Sequence, residues 1–202
     1  MNYVRFTGYL LVFLISAALM SYAWLTRELD LAQQASSRGD LASAMESYAR
    51  AERPLQQIPW LAQLLSEEHK QATLNQVAIL YRQQKNEVAL AKLEEIPTYA
   101  PALAESPDYL FWMGNVLFRQ AAETKDPETS VKTLRSAMSE YQRGLAARPE
   151  DWDLKFNYEL LRSMLIQPDR DRKSQEQKVK SIIEKMRPAD PAQKQMAPEK
   201  RG

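Results

Sequence analysis

Apolar and polar positions fall into two regimes along this chain. From Phe6 to Thr26 no residue is charged, and the stretch Tyr9 to Leu25 is almost wholly apolar. A helix of that length, at about 1.5 Å per residue, reaches about 30 Å, the thickness of a bilayer's hydrocarbon core. From Arg27 onward, charges are interspersed and apolar residues recur at helical spacing. The pattern predicts a short arm (1–5), a transmembrane anchor (6–26), a helical soluble domain (27–167) and a polar tail (168–202).

Two readings of the first run compete. A cleaved secretory signal would use Arg5 as its basic start and Ser21-Tyr22-Ala23 as its small-x-small site. The length of the run and aromatic residues at both ends (Tyr3, Phe6 and Tyr9; Tyr22 and Trp24) favour an uncleaved anchor. Arg5 and the α-amino group lie on the short side, whereas Arg27 is offset by Glu28 and Asp30. That asymmetry predicts an N-inside helix with the soluble domain exported, hence periplasmic at a bacterial inner membrane.

The soluble part reads as an all-α solenoid of helical hairpins. The segment Leu31 to Ala51 resembles a tetratricopeptide repeat (TPR). Leu31, Ala32 and Ala35 fit its first helix, Gly39-Asp40 its turn, and Ala44, Tyr48 and Ala51 its second helix. Glycine suits the strained turn position and aspartate the cap of the second helix. A second copy places Leu74, Val77, Ala78 and Tyr81 on one stripe, then Ala89, Leu93, Ile96 and Pro101, with one residue missing between the helices. Pro54 and Pro59 interrupt the chain between the copies, and Trp60, Leu61, Leu64 and Leu65 form an extra apolar turn. In the third copy, Trp112, Gly114 and Leu117 precede Ala137, Tyr141, Gly144 and Pro149. Gly114 and Ala137 stand 23 positions apart, about eleven more than the motif's spacing. The surplus, which includes Lys125 to Glu128, predicts a lengthened loop with extended helices on both sides. Asp151 to Leu161 reads as a closing helix.

The tail differs in character. Residues 27–167 carry 16 Lys/Arg against 20 Asp/Glu, whereas 168–202 carry 10 against 6. An acidic body argues against a nucleic-acid-binding domain. Val179, Ile182, Ile183 and Met186 fit one short amphipathic helix, and the chain from about residue 188 is expected to be disordered. With no cysteine, disulfides and thiolate metal sites are excluded.

Candidate chemistry is sparse. His69, the one histidine, falls in Ser66-Glu67-Glu68-His69, which reads as a helix N-terminus with Ser66 the cap and the glutamates in the favourable first turn. Glu94-Glu95 reads as a solvated face, and Asp151 or Asp153 as a helix cap. No catalytic residue, cofactor site or metal site is expected, and no small-molecule substrate. Trp112, Phe118, Trp152 and Phe156 are expected to pack between repeats. The surface left for function is the concave side of the stack, where Arg82, Gln83, Asn115, Phe118, Arg119, Lys155 and Arg162 are candidates to bind a protein partner.

One anchor, a short divergent TPR array and the segment Pro149 to Leu160, with Asp151, Asp153, Asn157 and Glu159, resemble a particular group. These are the small membrane-anchored TPR proteins encoded beside MoxR-type ATPases and von Willebrand factor A (VWA) proteins, the MxaK-like group. The chain has no VWA domain and no Asp-x-Ser-x-Ser motif, so metal-dependent adhesion does not carry over. The resemblance implies a non-enzymatic adaptor supporting assembly or maturation of a periplasmic enzyme or envelope complex, with VWA-domain or MoxR-system proteins as partners. A periplasmic chaperone for translocation or envelope assembly is the alternative.

Overall fold

The computed structural model describes residues 2–166, and side chains for 7–165. The tail expectations, including the helix around Val179 to Met186, lie outside these residues. A single helix, α1 (Asn2–Ser37), carries both the uncharged run and the first helix of the soluble domain. Its large apolar side chains from Tyr9 to Trp24 are exposed, while Leu25, Leu29 and Ala32 are buried. At Leu25 the helix therefore exchanges open surface for protein partners without a linker. Among the described residues, α1 is the one helix long and apolar enough to cross a membrane.

The chain returns as α2 (Leu41–Gln57), which packs along α1. Gly39 makes the turn at φ 80°. The Asp40 backbone N–H donates to the Ala35 carbonyl at 2.9 Å, and the Asp40 carboxylate accepts from the Ser43 N–H at 3.1 Å. After α3 (Pro59–Leu64), the second pair is α4 (Ser66–Arg82) and α5 (Asn86–Tyr99). Its turn closes in the same way: the Lys85 N–H donates to the Leu80 carbonyl at 3.0 Å, and Gln84 takes the left-handed position at φ 59°. Both turns are three residues long, 38–40 and 83–85, so the residue expected to be missing between α4 and α5 is not lost from the turn, and a glutamine stands where the first hairpin has glycine.

A short α6 (Pro101–Ala104) leads to the third pair, α7 (Pro107–Glu123) and α8 (Pro127–Ala147). The lengthened loop expected near Lys125 to Glu128 is instead only residues 124–126, and the surplus residues extend both helices. Asp126 caps α8 by accepting from the Thr129 N–H at 2.9 Å, with Pro127 at the first helical position. The Ser130 hydroxyl, in the extended part, donates to the Ala121 carbonyl at 2.8 Å and ties the two extensions together. The last helix, α9 (Trp152–Ile166), starts from Asp151, whose carboxylate accepts from the Asp153 and Leu154 N–H groups.

The pairs pack in sequence: α2 against α4, α5 against α7, and α8 against α9. Helix α4 joins two apolar cores. Ala72 and Ile79 face Leu25, Leu29, Ala44, Tyr48 and Leu55, whereas Leu74, Val77, Ala78 and Tyr81 face Ala89, Leu93 and the third pair. Of the expected packing residues, Ala32, Ala44, Tyr48, Ala78, Tyr81, Ala89, Ala137 and Tyr141 are all buried. Gly114 is buried against the Tyr141 ring, leaving no room for a Cβ, while Pro149 is exposed between α8 and α9.

Candidate functional site

The expected groove residues do not form one surface. Asn115 and Phe118 are interior, at 2% and 1% exposure, because α7 is enclosed by α4, α5 and α8. Asn115 Oδ1 accepts from the Tyr141 hydroxyl at 2.7 Å and from Asn157 Nδ2 at 3.0 Å, linking α7, α8 and α9. These two positions are corrected from partner contacts to core residues. Arg119 is half-buried, with its guanidinium 4.0 Å from the Tyr81 ring centroid. Its Nη1 donates to the Tyr81 carbonyl at 3.4 Å, which brings it to the end of α4 that carries Arg82 and Gln83. Lys155 and Arg162 are exposed on α9, where Arg162 pairs with Glu159 at 3.4 Å.

Helix α9 carries a surface that the aromatic pattern alone misassigned. Trp152 is 73% exposed and Phe156 53%, against the expectation that both pack between repeats. Leu154, Asn157 and Leu161 use the other side of α9 to dock on the stack. Among the described residues, no further helix covers the outer side. Trp152, Lys155, Phe156, Glu159 and Arg162 follow one another at helical spacing there, an aromatic pair flanked by charges. Trp112 and Phe118, by contrast, are core residues.

A second feature was missed in the sequence. Glu52, only 3% exposed, accepts from Lys92 Nζ at 2.7 Å, the Thr73 hydroxyl at 2.8 Å, Gln76 Nε2 at 2.7 Å and the Tyr99 hydroxyl at 3.3 Å. His69 is buried beside this group, its ring 5.8 Å from Tyr99, and its Nε2 has no hydrogen-bond partner. The cap expected at Ser66 is corrected: Ser66 is the first residue of α4. Leu65 precedes α4 without a side-chain cap, and His69 turns inward. Burial pushes the Glu52 carboxyl up, but Lys92, Thr73 and Gln76 outweigh it and hold the group below its ordinary value. Burial lowers His69, with Lys92 adding to the effect and Glu52 opposing it. Burial, then the Glu52 charge, raises the Tyr99 phenol strongly. One signal was available: Glu52 lies four residues after Tyr48 and three before Leu55, on the apolar stripe of α2.

No family model, curated protein or solved structure matches this chain. Its sites are therefore interpreted from their own geometry. The Glu52 centre has its acceptors filled and joins α2, α4 and α5, an arrangement suited to fastening helices. Among the described residues the α9 face is uncovered, and it combines aromatic area with charge, an arrangement suited to contact with another macromolecule.

Proposed function

We propose that the protein is a membrane-anchored, non-enzymatic adaptor whose hairpins form a TPR-like solenoid. In this reading the soluble domain stands on the periplasmic side of a bacterial inner membrane. It supports assembly or maturation of a periplasmic enzyme or envelope complex, in concert with a MoxR/VWA-type system. The observation that carries the reading is the exposed α9 face, presented by a stack whose first helix continues into an exposed apolar segment. The TPR assignment is supported by Gly39-Asp40 in the first turn and by the contact of Gly114 with Tyr141. Trp152 and Phe156 supply rigid apolar area and Lys155 and Arg162 supply charge, the mixture that dominates protein contacts.

The test is co-purification from membranes with the full chain. The adaptor reading expects a stoichiometric envelope partner, retained by the native chain and lost with Trp152→Ser/Phe156→Ser. Retention of no partner, together with substrate turnover by the purified chain, would overturn it. The same exposed pair also favours a second reading, a chaperone for unfolded apolar segments. That reading expects suppression of aggregation of several unrelated clients and no stoichiometric partner. A reporter fused after residue 167 tests topology: activity of a cytoplasm-only reporter refutes the periplasmic placement.

A further inference from the structure

The turn between the first two hairpins lies at the end of the stack where α1 leaves the protein. Three contacts establish this. Glu28 on α1 pairs with Arg50 on α2 at 2.9 Å, so the two helices run antiparallel. Leu25 and Leu55 share one buried cluster, which brings the last turns of α2 level with the emergence of α1. The Tyr22 hydroxyl donates to the Glu68 carboxylate at 3.0 Å, which brings the first turn of α4 to the same level. Helix α3 connects the ends of α2 and α4, and its Ala62 belongs to the buried cluster that contains Leu25 of α1.

The outer side of α3 is apolar. Trp60 is 67% exposed and Leu64 70%, one helical turn apart, while Ala62 faces the core. Residues 54–66 carry no charge, a thirteen-residue stretch between Arg53 and Glu67. Large apolar side chains on so short a helix are poorly placed in water, and tryptophan favours the boundary between headgroups and acyl chains. We propose that α3 is a second membrane contact, with Trp60 and Leu64 seated in the lipid boundary beside the transmembrane part of α1. The occupant is lipid because α3 packs into the cluster of Leu25, next along α1 to the exposed Tyr22 and Trp24 that close the uncharged run, and Tyr22 reaches Glu68 just after α3. A single helix leaves a domain free to rotate and tilt about its axis; a second contact removes that freedom. The stack is thereby held in one orientation, with α3 against the bilayer and the turns at Gly39 and Gln84 on the opposite side. The inference rests on residues 6–26 spanning the membrane.

The chain has no cysteine, so single-cysteine variants report one position each. Nitroxide labels on Leu64→Cys, Leu14→Cys and Val88→Cys are compared in the full chain. The carrier is a nanodisc of phosphatidylcholine and phosphatidylglycerol, and the readout is collision with oxygen and with a nickel chelate. Leu14 probes the span, and Val88 is an exposed position on α5. The expected oxygen-to-nickel ratio at position 64 is severalfold above that at 88 and below that at 14. Trp60→Cys repeats the measurement on the neighbouring turn. A label at 64 that matches 88 while 14 stays oxygen-rich overturns the second contact and leaves the anchor standing. Shielding of 64 from both reagents overturns it in favour of a protein partner or a second copy. If 14 also matches 88, the spanning reading itself has failed.

Discussion

Glu52 provides the sharpest test of how the stack is held together. Its side chain is 4% exposed, and that of its ion-pair partner Lys92 18%. Glu52→Ala removes the common acceptor of four donors, two on α4 and two on α5, and strands the Lys92 ammonium. Breaking a buried pair from one side costs about 3–5 kcal/mol, and the partial exposure of Lys92 puts the expected loss at about 3 kcal/mol. Lys92→Ala leaves the carboxylate with the Thr73, Gln76 and Tyr99 donors, so a smaller loss of about 2 kcal/mol is expected. The double variant removes both charges and should cost less than the two singles added, by at least about 1 kcal/mol. Denaturant unfolding of the full chain in detergent, followed by helical circular dichroism, measures all four proteins. A loss below about 1 kcal/mol for Glu52→Ala, or strict additivity in the double variant, would refute the clamp.

Gly114→Ala sets a Cβ against the edge of the Tyr141 ring, closer than van der Waals contact allows. Tyr141 is fully buried with its hydroxyl held by Asn115, so a loss of about 3 kcal/mol is expected in the same unfolding assay. Gln84→Gly relieves a left-handed backbone that a side chain disfavours, and is expected to raise stability by up to about 1 kcal/mol; Gly39→Ala is expected to lower it by about as much. His69 is lowered in the folded protein, so the unfolded chain takes up its proton first as pH falls. Above about pH 6.5 the ring is neutral in both states, and stability declines as pH falls below that value. Unfolding midpoints measured across this range should fall with pH, and His69→Phe should flatten the decline. The Glu52 contribution is present above about pH 4.3 and disappears as pH falls through its lowered folded value, giving a second, more acidic loss.

Local chemistry was legible along the chain because short-range forces decide it. The uncharged run, the Gly39-Asp40 turn, a cap at Asp151 or Asp153 and the pairing of helical stripes depend on residues within a turn or two of each other. Two absences were also local: between Gly8 and Gly39 there is neither glycine nor proline to end a helix, and α1 runs on without a break. Periodicity identifies which residues share a face but not whether another element covers that face. Asn115 and Phe118 have a polar and an aromatic side chain, respectively, and both are interior because α7 is enclosed. Trp152 and Phe156 resemble core residues and are exposed because the outer side of α9 stays open among the described residues. The Glu52–Lys92 pair joins residues forty positions apart, and neither position marks the other. The sequence alone determined a helical protein with one apolar span and turns at known places. Tertiary packing decided which polar groups were buried together and which apolar groups remained at the surface, because desolvation depends on neighbours that only the folded chain assembles.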